Sequence, residues 1–198
     1  MTQAADLILT NTSQVCVLPS HKGKPQRGAA LGDLGLIERG AVAIKDGMIF
    51  AVGLEDDIKA TCSGEVLDAG GMAVVPGLID PHTHLIWGGD RAAEFEMRLA
   101  GATYMQIMAA GGGINSTVRQ TRAASTEALA EQARARLDRM LRLGATTIEI
   151  KTGYGLDTAS EIKLLEVIYL LAETHPADIV PTFLGAHAIP PEFEGRTE

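Results

Sequence analysis

The sequence has few cysteines and few aromatic residues. Its two cysteines, Cys16 and Cys62, cannot build the disulfide framework of a small secreted domain. Neither belongs to a CxxC pair, which favours small buried thiols in a reducing compartment over a redox or zinc motif. Aromatic residues make up 4% of the chain, whereas glycine occurs 22 times. Few rings and many glycines are typical of an α/β protein with tight backbone turns.

The chain also lacks basic charge and long apolar runs. It has 17 Lys and Arg against 25 Asp and Glu, a net charge of −8, so nucleic acid and anionic membranes are not expected as partners. With 46% hydrophobic residues it can bury a core, which argues against a disordered tail. No apolar run approaches the ~18 residues of a membrane span, and the first residues do not resemble a secretory signal. A cytoplasmic protein with a small-molecule substrate is the expectation.

Residues 1–72 are predicted to form a small antiparallel β domain resembling a sandwich. The strongest local signal is Asp46-Gly47 between the apolar runs 40–45 and 48–53, because a type I′ hairpin turn needs positive φ at both central residues. Shorter apolar runs occur before it. The polar, glycine-rich segment 20–38 is expected to be an exposed loop.

From residue 73 to residue 198, apolar strands alternate with helical patterns. This order predicts parallel strands, and in parallel α/β folds ligands bind at the carboxyl ends of the strands. The helix that begins at Thr158 carries a capping-box pattern closed by Glu161. The predicted strands are 73–80, 146–150 and 178–184, and the predicted helices are 91–110, 126–143 and the one from 158.

Two histidines follow the first of these strands, in the string Asp80-Pro81-His82-Thr83-His84. On an extended segment, residues i and i+2 point to the same side, so His82 and His84 can present two imidazoles to one metal ion. Imidazole suits zinc, iron and nickel. The alternative is two polar residues leaving a strand. Their position at the end of an apolar strand that opens a βα series favours metal binding.

Other polar residues follow later strands or begin helices. Arg91 could clamp a carboxylate through its guanidinium, or it could be a solvated residue at a helix start. Tyr154 lies between two glycines after one strand, and His187 follows the next. Each alone could be structural. Successive strand ends that offer imidazoles, a phenol and another imidazole favour a shared site.

Further residues have weaker signals. Lys151 could be a third polar group or a carbamylated metal bridge, but an ion pair with a site carboxylate is the favoured interpretation. The run Gly111–Gly113 follows a predicted helix, so it is interpreted as a helix stop or a mobile loop, not as a phosphate loop. His21 and His175 are assigned no role.

Several strings together resemble a known family. The segment from Val75 to His84 is similar to the amidohydrolase superfamily. The remaining strings, in the same order, resemble the imidazolonepropionase family within it, and the resemblance covers essentially the whole chain. Those strings are WGGDR at 87–91, EFE at 94–96, GATY at 101–104, AGGGI at 110–114, EIKTGYGL at 149–156 and TFLGAH at 182–187.

The resemblance implies a metal-dependent TIM barrel with a small N-terminal β domain. It implies hydrolysis of 4-imidazolone-5-propanoate to N-formimidoyl-L-glutamate, the third step of histidine degradation, by metal-activated water that opens a cyclic amide. The cofactor would be one zinc or iron ion, with His82 and His84 as ligands. Arg91 would bind the propionate carboxylate, helped by Tyr104, and Tyr154 and His187 would contact the substrate. A homodimer is a family-level expectation.

The length departs from this family. A complete (β/α)₈ barrel takes ~250 residues, and residues 73–198 can hold about half of it. The remaining metal ligands and the general base are therefore expected beyond Glu198. We expect an N-terminal fragment, or an incomplete sequence, of a longer enzyme, inactive alone. The alternatives are another cyclic amidase or deaminase of the superfamily and a non-catalytic metal-binding fragment. A structural zinc site normally needs four ligands, so the last alternative is weaker.

Overall fold

The computed structural model describes residues 2–19 and 23–196 and divides into two compact units. The first is Met1–Pro76 and the second is Gly77–Glu198. The first unit is mainly β structure, and the second alternates strands with helices.

The elements of the first unit are β1 (Gln3–Thr10), β2 (Gln14–Cys16), β3 (Leu36–Glu38), β4 (Gly40–Lys45), β5 (Met48–Leu54), α1 (Glu55–Thr61), β6 (Cys62–Asp68) and β7 (Ala73–Val74). The 3₁₀ helix Gly28–Gly32 precedes β3. The strands form a four-stranded sheet with the order β5-β4-β1-β6 and a three-stranded sheet with the order β3-β2-β7.

Both sheets of the first unit are mixed, so the prediction of an antiparallel domain is corrected. β4 pairs antiparallel with β1 and β5, but β6 pairs parallel with β1. The cause is α1, which carries the chain from β5 to β6 and preserves the strand direction. The smaller sheet likewise pairs β2 antiparallel with β3 and parallel with β7. Its strand β3 lies within the segment that was expected to be a loop.

The Asp-Gly hairpin of the first unit is confirmed. Asp46 has φ 50° and Gly47 has φ 73°, the two positive values that a type I′ turn requires. The helix α1 was not predicted. Acidic residues occupy its first turn, where they interact favourably with the positive end of the helix dipole. Small and β-branched residues form the core here: Ala5, Ile8, Ala41, Ala43, Ile58 and Cys62.

The second unit contains the predicted parallel sheet. Its strands are β8 (Leu78–Thr83), β9 (Ala145–Lys151) and β10 (Asp178–Thr182), in the order β10-β9-β8 and all parallel. The long helices α5 (Thr126–Arg142) and α6 (Thr158–Thr174) flank β9 along the chain. They bury an aliphatic core that includes Leu129, Leu137, Ile148, Ile150, Leu164, Val167, Ile168 and Leu171.

Two predicted elements are each divided in the structure. The strand predicted at 73–80 divides at Pro76-Gly77, so β7 belongs to the first unit and β8 to the second. The helix predicted at 91–110 is two helices, α2 (Ala92–Leu99) and α3 (Tyr104–Ala109). Gly101, with φ 88°, separates them. The N-cap of α3 is Thr103, which forms a capping box with Gln106.

Gly111–Gly113 both follows a helix and begins one. Gly113, with φ 73°, is the N-cap of α4 (Ile114–Ala123), a helix that the sequence interpretation missed. The cap of α6 also differs from the prediction, since Asp157 accepts a hydrogen bond from the Ser160 N–H. In the part of the chain that the structure describes, no helix combines the length and apolar character needed to cross a membrane.

Candidate active site

Four aromatic side chains from successive strand ends of the second unit lie together. The ring centroid of His84 lies 4.5 Å from that of His187 and 5.0 Å from that of Tyr154. His82 lies 6.1 Å from His84, and Tyr154 lies 5.9 Å from His187. The gathering follows from the parallel sheet, because its strands end at the same edge.

The end of β8 positions the two histidines. The register between β8 and β9 shifts between Asp80 and Thr83, and Pro81, which lacks an N–H, lies in this irregular stretch. The Asp80 carboxylate accepts a hydrogen bond from the His82 N–H at 3.2 Å. The Thr83 hydroxyl donates to the Glu149 carbonyl at 2.6 Å, which fixes this strand end to β9.

A pocket of about 380 Å³ opens beside the ring cluster. Arg91 lies in it, and the Thr117 hydroxyl of α4 accepts hydrogen bonds from Arg91 Nε at 3.1 Å and Nη2 at 3.0 Å. Glu94, on the next turn, lies 3.9 Å from Arg91 and accepts a bond from the Gly113 N–H. The pocket is lined by His84, Trp87, Asp90, Arg91, Thr117 and Tyr154.

Trp87 forms one wall of this pocket and is held by Arg136 of α5. The Arg136 guanidinium lies 3.2 Å from the Trp87 ring centroid, a cation–π contact. The same side chain donates to the Leu85 carbonyl at 2.9 Å and to the Trp87 carbonyl at 3.3 Å. The loop after His84 is therefore fixed to the helix layer.

The surroundings of His84 favour its neutral form. Burial lowers its pKa, the charge on His187 lowers it further, and a hydrogen bond with the Thr152 backbone opposes both. Only a neutral imidazole can donate a lone pair to a metal ion or accept a proton. The electrostatics of the cluster thus suit either role.

Glu149 and Lys151 form the ion pair that the sequence interpretation favoured for Lys151. The Glu149 carboxylate also accepts a bond from the Thr182 hydroxyl at 2.7 Å. The Lys151 ammonium and then the Thr182 hydroxyl lower the pKa of Glu149. The carboxylate therefore stays ionised beside the end of β8.

Comparison with known proteins adds sequence evidence to this geometry. Residues 65–149 match the Amidohydrolase family. The imidazolonepropionase of Herpetosiphon aurantiacus is 50% identical over 98% of this chain and 45% of its own length. That of Symbiobacterium thermophilum is 48% identical over 98% of this chain and 46% of its own length.

Along nearly its whole length the chain is similar to imidazolonepropionases. It corresponds to the N-terminal part of these relatives and spans about half their length. Solved structures support the fold. An Escherichia coli guanine deaminase aligns with TM-score 0.60 and 17% identity, over 88% of this chain and 35% of its own. An adenosine deaminase from Xanthomonas campestris, solved with bound zinc, aligns with TM-score 0.55 and 16% identity, over 92% and 43%.

Not every candidate residue of this chain reaches the pocket. Tyr104 begins α3, is 64% exposed and is not among the pocket-lining residues. His175, which was assigned no role, is buried and pairs with Asp138 at 3.3 Å. His21 lies outside the described residues. The sequence did not indicate three further site residues, which are Thr117 on α4, Trp87 in the loop after β8, and Glu149 on β9. Only tertiary packing brings them to the site.

The polar side chains at this strand edge are of the types that bind metal ions, but too few of them lie close together. The Nδ1 atom of His84 and the Oε2 atom of Glu149 are buried without a hydrogen-bond partner, and a buried polar atom normally has one. Within residues 2–19 and 23–196, however, no three His, Cys, Asp or Glu side chains are grouped closely enough to hold an ion. His82 and His84 thus offer two imidazoles, and a complete metal site would need further ligands.

Proposed function

We propose that this chain is the N-terminal part of an enzyme that hydrolyses 4-imidazolone-5-propanoate to N-formimidoyl-L-glutamate in histidine degradation. The observation that carries the proposal is a pocket shared by the Arg91 guanidinium, the His84 imidazole and the Tyr154 phenol. A polar ring with a carboxylate side chain needs both kinds of group. Two imidazolonepropionases that match this chain are each 50% identical to it over the aligned residues.

In this proposal Arg91 binds the propionate carboxylate. A guanidinium forms two parallel hydrogen bonds with a carboxylate, which fixes orientation as well as affinity. Thr117 accepts bonds from two nitrogens of Arg91 and so orients the group before substrate arrives. Tyr104 remains a proposed helper, although it is exposed in the described structure.

The substrate ring would lie against Tyr154 and His187. Their contacts with His84 place both side chains within one cluster. The phenol can donate a hydrogen bond to a ring oxygen or nitrogen, and an imidazole can donate or accept. Together with Arg91 they would hold the carboxylate and the ring at two separate points, which restricts the substrate to one orientation.

His82 and His84 would hold one zinc or iron ion, together with ligands from outside the described residues. When bound, such an ion would lower the pKa of a water to about 7 and would polarise a carbonyl oxygen. Zinc is bound in the adenosine deaminase of similar fold, which supports the class of cofactor. The lowered pKa of His84 keeps a lone pair available for such an ion near neutral pH.

The expected setting is that of a metabolic enzyme. We propose a cytoplasmic location, a small-molecule substrate and a homodimer, with no nucleic-acid or membrane partner. The acidic net charge of −8 argues against a nucleic-acid or anionic-membrane partner.

The test is turnover by a full-length protein that includes this segment. Imidazolone propionate should be hydrolysed, whereas guanine, cytosine and hydantoins should not. Preference for one of those compounds would favour the superfamily alternatives. The 198-residue chain alone should bind metal weakly and show no turnover, and measurable hydrolysis by it would contradict the fragment hypothesis.

The role of Arg91 can be tested with a conservative pair. Arg91→Lys keeps the charge but loses the guanidinium fork, so KM for imidazolone propionate should rise about tenfold or more. Arg98→Lys, at an exposed position near the end of the same helix, is the control and should leave KM unchanged. Equal KM values for both variants would remove the carboxylate clamp from the proposal.

A further inference from the structure

A buried carboxylate on α6 binds the backbone of the loop that carries Tyr154. Glu161 is 3% exposed and lies in the first turn of the helix. Its Oε2 atom accepts a hydrogen bond from the Gly153 N–H at 3.0 Å. Its Oε1 atom accepts from Gly155 at 2.7 Å and Leu156 at 2.8 Å. The three donors surround Tyr154 in the sequence.

These backbone groups take the place of a cationic partner. Within the described ranges 2–19 and 23–196, no ion pair involves Glu161. A buried carboxylate is costly unless its oxygens accept hydrogen bonds, and N–H groups bonded to an ionised acceptor form strong bonds. The capping-box pattern at 158–161 therefore has another use, because Glu161 binds the loop instead of the helix N-cap.

The loop needs such support. Leu156 is a non-glycine residue with φ 55°, a conformation that costs free energy outside glycine. Gly153 has φ 118°, and a Cβ there would lie 2.7 Å from the His187 Cβ. A Cβ on Gly155 would lie 2.7 Å from the Glu161 nitrogen. The loop is thus pressed between α6 and His187, with little space to shift.

We propose that Glu161 is a positioning residue, whose carboxylate fixes residues 153–156 and thereby holds the Tyr154 phenol beside His84 and His187. The inference deepens the proposed function and rests on it for its catalytic meaning. Glu161 does not line the pocket, so it acts through Tyr154. Because its three hydrogen bonds fix the loop that carries Tyr154, a substitution of Glu161 should weaken substrate binding.

The first experiment concerns geometry alone and does not depend on the proposed substrate. In the 198-residue chain, nuclear Overhauser contacts between the Tyr154 and His84 rings should be present. Glu161→Gln, which replaces one acceptor oxygen with an N–H₂ donor, should abolish them. Glu166→Gln, at an exposed position on the same helix, is the matched control and should keep them. Persistence of the contacts in the Glu161→Gln variant would overturn the inference.

The second experiment is a double-mutant cycle in a full-length protein. Glu161→Gln should raise KM for imidazolone propionate about tenfold or more with kcat within about threefold. In a Tyr154→Phe background the same substitution should change KM by no more than about twofold, because both act through one phenol. Equal factors in both backgrounds would overturn the positioning role. Absence of wild-type turnover would refute the proposed function and leave the first experiment decisive for Glu161.

A second variant covers the case in which Glu161→Gln does not fold. Glu161→Asp keeps the charge, but its shorter side chain cannot reach all three N–H groups. It should weaken the Tyr154–His84 contacts and raise KM by a smaller factor. Wild-type contacts and wild-type KM in this variant would contradict the proposal.

Discussion

The two units differ in how they bury apolar side chains and in where their polar side chains collect. The core of the first unit contains three alanines and a cysteine beside two isoleucines. The second unit buries mainly leucine, isoleucine and valine. Its strands are parallel and end at one edge, where the ring cluster lies. In a parallel sheet on an aliphatic core, the carboxyl ends of all strands lie at one edge, so polar residues at these ends lie together. In a mixed sheet the carboxyl ends are divided between two edges.

The histidines illustrate the same difference. Four of the five lie beyond residue 77, and three of those four belong to the ring cluster. The fourth, His175, is used structurally, because its Nδ1 atom accepts a bond from the Ala177 N–H while Nε2 faces Asp138. Topology, more than residue type, therefore decides which imidazoles are available for chemistry.

The largest expected effect is on the core of the second unit. Leu164→Ala removes a fully buried side chain on α6 and should lower the free energy of unfolding by about 2–5 kcal/mol. Ile162→Ala, on the same helix but 50% exposed, should change it by less than about 0.5 kcal/mol. Urea denaturation measures both. Similar losses would mean that the aliphatic core does not carry the stability of this unit.

A smaller effect is expected at the N-cap of α6. Asp157→Ala removes the acceptor for the Ser160 N–H and should cost about 1 kcal/mol. Asp157→Asn keeps an acceptor and should cost less at neutral pH. An Ala variant as stable as wild type in thermal denaturation would show that the cap contributes nothing.

The same aspartate predicts a pH dependence. Burial raises its pKa, but hydrogen bonds from the Ser160 N–H and hydroxyl and the Arg122 charge outweigh burial, so the pKa is lowered overall. The stabilisation is then complete above the unfolded value of about 3.9 and is lost as pH falls through the lower folded value. Denaturation at about pH 7 and about pH 3 should show a smaller acid loss for Asp157→Asn than for wild type. An unchanged loss would argue against this linkage.

The effect expected at the hairpin of the first unit is no larger than that at the N-cap of α6. Gly47 has φ 73°, so Gly47→Ala should cost about 1 kcal/mol through the left-handed conformation. At Gly53 a Cβ would lie 3.7 Å from Ile58, in ordinary contact, so Gly53→Ala is a control with a smaller change. Thermal denaturation of both variants decides. A larger loss for Gly53→Ala would contradict the account of the turn.

Local patterns were sufficient to predict much of this fold. The turn at Asp46-Gly47, the helix α5 and the parallel order of β8, β9 and β10 depend on short-range periodicity and chain order, which the sequence displays. The helix α1 and the strand β3 are short, and tertiary pairing decides them. The division into domains at residue 72 stays a prediction.

The sequence indicated which side chains lie near the strand ends, but it did not reveal the contacts that hold them there. His82 lies near the end of β8 and His84, Tyr154 and His187 follow strands. The parallel sheet brings such positions together. The sequence left open whether Arg91 clamps a carboxylate or is a solvated residue at a helix start. Thr117 was not predicted, because only the packing of α4 brings it beside Arg91. Glu161 looked like a capping residue, because the return of the loop onto α6 is a tertiary feature without a periodic signal.

The most direct test of the central claim is a zinc titration of the 198-residue chain, followed through its imidazole nitrogen resonances. The account predicts that the His82 and His84 signals shift together, that the His175 signal does not move, and that His82→Ala removes most of the His84 shift. Unmoved His82 and His84 signals, or an equal shift at His175, would contradict the assignment of a metal-binding pair to the end of β8.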